Sequence, residues 1–178
     1  MTEELSPSFN GVEFPSFVRF SADEPKGKLN FWDPDRSGPD KDAYSAGFDH
    51  FRAALAFAHA SHAEMFLPHV VKWISFAGCG DMERGFIDAL AAAAAVGRRP
   101  PILRDAVIDL TEAATGISAE ELRYGESEAI EYLELAQACR SPDLVASLLV
   151  DIANYQFGHG ALTFMTTVCR AAYAGGAN

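Results

Sequence analysis

The sequence predicts an all-α fold, a compact bundle of six or seven helices preceded by an extended, aromatic- and proline-rich N-terminal arm. Three observations carry that reading. Apolar residues recur at three- and four-residue steps from about residue 42 onward. Glycines, prolines and capping residues interrupt this pattern at short intervals. Residues 1–40, by contrast, hold five of the nine prolines, too many for a long helix. A chain of 178 residues is expected to form one domain, with 1–40 as the arm and 41–178 as the helical body.

The arm also carries Phe9, Phe14, Phe17, Phe20, Phe31 and Trp32. So many rings argue for a segment laid on the body rather than left in water, with FVRF at 17–20 as one short strand. The first helix is expected over 42–66, where Phe48, Phe51, Leu55 and His59 follow one stripe. Pro68 removes a backbone donor and crowds the preceding turn, so a break is expected at 66–67 with a short helix following to Phe76. AGCGD at 77–81 reads as a turn, with Asp81 capping a helix to Val96 that turns Phe86, Ile87, Leu90, Ala91 and Ala94 inward. Gly97 and RRPP end it.

The next helix is expected over 101–114, opening on Pro101, with Leu103, Ala106, Val107 and Leu110 as its inward stripe. Gly116 closes it, and SAEE at 118–121 is a capping-box pattern that opens a short helix. Residues 126–140 read as a further helix with Ile130 and Leu133 inward. Ser141-Pro142-Asp143 combines a cap, a proline at a first helical position and an acid at the positive helix end. The helix it starts runs to Phe157, yields at Gly158-His159-Gly160 and resumes to Tyr173, as one helix or two.

Charge and composition exclude several function classes. Net charge is −11, and no Lys/Arg cluster larger than Arg98-Arg99 breaks the trend. A nucleic-acid-binding surface needs a basic stripe, and an anionic membrane surface needs the same, so neither partner is expected. The most apolar stretch, 152–169, is interrupted by Asn, Gln, His and two glycines and does not read as a membrane span. Cys79, Cys139 and Cys169 are odd in number, far apart and free of CxxC spacing. That fits reduced thiols in the cytoplasm, and the acidic N-terminus does not resemble a secretory signal.

FAHASHAEMFLPHVVKW, residues 57–73, carries three of the five histidines and is the best chemical lead. On an unbroken helix His59 and His62 lie about 60° apart, and His69 falls within about 20° of His62. Neutral imidazole is the commonest metal ligand. Against this, Pro68 breaks the phase, HASH lacks the ExxH and HExxH patterns, and Glu64 points about 140° away from His59. The plainer expectation is therefore a semi-polar helix contact in which each ring has a carbonyl or water partner. Asp151, Asn154, Tyr155 and His159 form a second polar stripe on an otherwise apolar segment. Were it to meet His59 and His62, then His59, His62, His159 and Asp151 would make a site for a divalent transition metal or for acid–base chemistry.

Other candidates are weaker. DPDRSG at 33–38 opens like a calcium loop, but Tyr44 stands where the bidentate glutamate belongs, so a turn is expected. Cys79 precedes a helix N-terminus, a place that can lower a thiol pKa, yet no motif couples it to histidine. Glu126, Glu128, Glu131 and Glu134 read as a solvated helix face. Phosphate loops and the GxSxG elbow are absent. With no catalytic motif and no cofactor implied, the expected function is binding or self-association, with a homodimer as the default partner and a small-molecule ligand as a further option. The alternative is a metal-dependent or acid–base enzyme centred on the histidine cluster.

Overall fold

The computed structural model describes residues 8–21, 28–155 and 160–175, with backbone alone at 21, 28 and 153–155. Seven helices account for most of the described chain. They are α1 (Asp40–Ala60), α2 (Phe66–Ala77), α3 (Asp81–Val96), α4 (Asp105–Thr115), α5 (Ala119–Cys139), α6 (Asp143–Tyr155) and α7 (Ala161–Gly175). The expected helical bundle is thus present in its coarse form.

The expectation of an extended N-terminal arm is not confirmed. The described part of the segment holds two antiparallel strand pairs, β1 (Ser8–Phe9) with β2 (Val12–Glu13) and β3 (Arg19–Ser21) with β4 (Lys28–Asn30). The first hairpin turns on Asn10-Gly11, both at positive φ (51° and 78°), the pair that a two-residue primed turn demands. Asn10 Nδ2 donates to Ser61 O at 2.8 Å and ties this turn to the end of α1. Pairs of strands this short are not stable alone; their rings pack on the helices. Phe14 stacks on Phe57 at 4.8 Å between centroids, and Phe17 and Trp32 are buried against each other at 5.3 Å.

Helix α3 is the centre of the body and packs on α1, α5, α6 and α7. Phe86, Ile87, Leu90, Ala91 and Ala94 are all buried, as the sequence stripe predicts. Small residues let its neighbours come close. A Cβ on Gly47 of α1 would stand 2.1 Å from Met82 O, and one on Gly85 of α3 would stand 2.1 Å from Tyr44 O. The two backbones therefore touch directly at this crossing. The buried stripe of α1 accordingly runs through Gly47, Phe51, Ala54 and Ala58, while Phe48, Leu55 and His59 flank it half-buried.

Three helix boundaries differ from expectation for local reasons, and one left open is decided. Helix α1 stops at Ala60, because Ser61 Oγ donates back to Phe57 O at 2.7 Å and His62 takes a left-handed φ of 55°. Pro68 then falls in the first turn of α2, where its missing N–H leaves no hydrogen bond unmade. Residues 119–139 form one helix rather than two; Gly125 lies inside it, where a Cβ would meet Gly160 O at 1.9 Å. Helices α6 and α7 are separate, and α7 follows Gly160 at φ 84°.

The largest departure concerns α4. It begins at Asp105 rather than 101, with Arg104 as its cap position, and it rests on α5. Its expected inward stripe points outward: Val107 is 43% and Leu110 71% exposed, and Ile108 is the residue it buries.

Substituting Gly47 or Gly85 by alanine is expected to destabilise the fold by about 3 kcal/mol, since a backbone has to move to admit the methyl group. Gly38→Ala, where nothing lies within 4 Å of the added carbon, is expected to stay within about 0.5 kcal/mol of the parent. Urea unfolding midpoints of the three variants measure the difference.

Candidate functional site

The chain bend between α1 and α2 separates the three histidines that the unbroken helix would have aligned. His59 lies in the last turn of α1, half-buried, its ring stacked on Tyr173 of α7 with centroids 4.3 Å apart and planes 14° from parallel. His62 sits in the connection and is exposed. His69 is exposed in α2, its Nδ1 2.8 Å from Met65 O and its ring 5.3 Å from that of Phe31. Glu64, the nearby acid, accepts from Arg170 Nε at 2.7 Å. Asp151 is exposed on α6, and His159 lies outside the described residues, as do the side chains of Asn154 and Tyr155. No group of three His, Cys, Asp or Glu side chains among the described residues is arranged to hold a metal ion. His59 Nε2 is buried with no hydrogen-bond partner among the described residues, as is Thr167 Oγ1.

Two buried carboxylates were not visible in the sequence. Glu83 is 1% exposed in the first turn of α3. Trp32 Nε1 donates to its Oε1 at 2.8 Å, Arg36 pairs with the same oxygen, and Gly80 N donates to Oε2 at 3.1 Å. Burial alone would raise its pKa, but the hydrogen bonds from Arg36 and Trp32 outweigh it and hold the carboxyl below its ordinary value. The Asp81 expected as cap is instead the first helical residue, and Gly80 occupies the cap position. Glu126, expected on a solvated face, is buried: Leu103 N donates to Oε1 and Arg123 to Oε2 at 2.7 Å. Arg123 also donates to Leu103 O at 2.7 Å, so the pair clamps the chain entering α4 to α5.

Near Glu83, the half-buried His50 ring meets Phe17 at 5.2 Å and Trp32 at 5.8 Å. Burial lowers its pKa, against the opposing pull of Asp49 and Glu83. Cys79 is also half-buried; burial and then the charge of Glu83 raise its thiol pKa, so the helix terminus does not activate it as the sequence suggested. Asp35 Oδ1 accepts from Ser37 N at 2.9 Å, which makes DPDRSG a turn.

Concave apolar surface lies elsewhere, along α2. A cleft of about 270 Å³ is walled by Phe9, Phe14, Phe31, Phe57 and Phe66, with Met65 and His69 at its edge. A second, of about 430 Å³, shares Met65 and His69 and continues past Lys72, Trp73 and Phe76 to α7. The Phe-rich segment of the sequence hinted at the first; the second depends on how α7 lies beside α2 and had no sequence signal. No described helix is long and apolar enough to cross a membrane. Comparison of the chain with protein-family models, with curated proteins and with solved structures finds no match.

Glu83→Gln is expected to lower stability at neutral pH by about 1.5–3 kcal/mol, the worth of hydrogen bonds to a charged group. Because the folded pKa of Glu83 lies below its unfolded value, the stability it supplies is present above about pH 4.3 and fades as pH falls through the folded value. Urea titrations across that range are expected to show a steeper acid decline below about pH 4.3 in the parent than in Glu83→Gln, while the part owed to His50, beginning near pH 6.5, is expected to be somewhat larger in Glu83→Gln, which lacks the charge that opposes its lowering.

Proposed function

We propose that this protein acts by binding and self-association, as a homodimer, rather than through chemistry of its own. The observation that carries this reading is the outward face of α4. Leu103, Ala106, Val107 and Leu110 recur at the spacing of a helix built for burial, yet Leu103 precedes α4, and Ala106, Val107 and Leu110 on it are exposed, as is Ile102 at 62%. A second copy placed across a two-fold axis would cover the stripe with its own, the self-complementary arrangement of most small dimers. Antiparallel pairing of two α4 helices opposes their dipoles and sets Arg104 of one copy beside the end of the other that carries Glu112. The clamp of Arg123 and Glu126 gives α4 a fixed position from which to do this.

A second reading keeps His59, His62, His159 and Asp151 as ligands of a divalent transition metal. It is favoured by one atom, the unpartnered His59 Nε2. Metal analysis after dialysis against a zinc or manganese buffer tests it: a stoichiometric ion lost in His59→Ala supports it, and protein free of metal in both forms removes it.

For the dimer, light scattering at high micromolar protein is expected to give twice the monomer mass, and Leu110→Glu to weaken association at least tenfold, about 1.4 kcal/mol, with unchanged helical circular dichroism. A parent protein that stays monomeric at that concentration contradicts the proposal.

A further inference from the structure

The two clefts along α2 share a wall and differ in character. The first is carbon on nearly every side, and its rings brace one another: Phe14 stacks on Phe57, the Phe57 and Phe66 centroids are 4.5 Å apart, and Phe31 meets Phe66 at 6.0 Å. Such a wall is formed before any ligand arrives. Met65 and His69 line both clefts, and the His69 ring is held there by the Met65 carbonyl and by Phe31. The second cleft adds Trp73 and Phe76 to its apolar lining and one cation, Lys72, which has no carboxylate partner among the described residues. In volume the pair falls in the range of about 300–1,000 Å³ typical of small-ligand sites.

Charge decides what such a groove takes. The chain carries 25 acidic residues, yet no described acidic residue lines either cleft. Glu64, next to Met65 in the sequence, is drawn off by Arg170. On a chain of net charge −11, the described lining of these two adjoining clefts thus holds no carboxylate and carries an ammonium, Lys72, in the second. We propose that this groove binds a single-chain amphipathic anion: an apolar chain lying against the phenylalanines and Met65, its carboxylate at Lys72. This site is separate from the α4 face, since no α4 residue lines it.

The chain contains two tryptophans. Trp32 is buried and hydrogen-bonded to Glu83, whereas Trp73 lines the groove, so the emission of Trp73 reports occupancy over a constant background. Titration of the full chain with sodium decanoate is expected to change that emission saturably, and Trp73→Phe to abolish the change. Octanoate, two methylenes shorter, is expected to bind roughly fifteenfold more weakly, from a factor of nearly four per methylene. Decanol and decyltrimethylammonium are expected to bind more weakly than decanoate at neutral pH. Lys72→Glu, an exposed position that leaves folding intact, is expected to weaken decanoate about tenfold and to leave decanol unchanged. Leu110→Glu is expected to bind decanoate as the parent does. The proposal is overturned by any of three results: no saturable change with decanoate, decanol binding as tightly as decanoate, or a Trp73 signal that follows protein concentration instead of added ligand, which would make the groove a contact between copies.

Discussion

The direct contact of the α1 and α3 backbones at Gly47 and Gly85 is the constraint on which the rest of the structure depends. Side chains ordinarily keep helix axes 8–10 Å apart. Here the missing Cβ atoms let a carbonyl of each helix occupy the space a side chain would need. The crossing fixes the start of α3, and with it the place of Glu83. It also lets α3, with Ala89, Ala91 and Ala94 among its buried residues, act as the shared neighbour of four other helices.

Both fully buried carboxylates hold on to the body something that lies outside the central packing. Glu83 accepts Trp32 and Arg36 and so fastens the N-terminal segment to α3. Glu126, with Arg123, fastens the chain entering α4 to α5. A buried carboxylate is tolerated only where donors replace its lost water, and each of these is met by a cationic guanidinium together with a backbone or indole N–H. The same pattern gives α4, which buries only Ile108 of its own, a defined position, and it adds to the burial of Phe17, Val18 and Trp32 in holding the N-terminal segment. Two features relevant to function follow from those positions: the first cleft, formed between the hairpins, α1 and α2, and the outward stripe of α4.

Histidine spacing drew attention to the right part of the chain for a different reason than the one it suggested. The bend that Ser61 and His62 make between α1 and α2 parts His59 from His69 and sends His59 onto Tyr173. The same bend swings α2 so that Met65 and His69 line two adjoining clefts, the second of which Trp73 and Phe76 also line. What the imidazoles gave up in convergence, the aromatic residues gained. A binding role and a carboxylate-free apolar channel are consistent with one another, since both rest on surface that this acidic chain keeps free of charge.

Helix number, the stops at Gly97, Gly116 and the break before Gly160, and the inward faces of α3 and α5 were legible from the residues themselves, because apolar period, caps and glycines act within a few positions of one another. The Asn10-Gly11 turn belonged to the same legible class and was passed over in favour of the prolines around it. The burial of Glu83 and Glu126, the outward face of α4 and the clefts were settled by tertiary structure alone. Each depends on a partner 20 or more positions away, such as Trp32 for Glu83 or Leu103 for Glu126. A helical stripe states that one face is apolar, but what covers that face is decided only when distant segments compete for it.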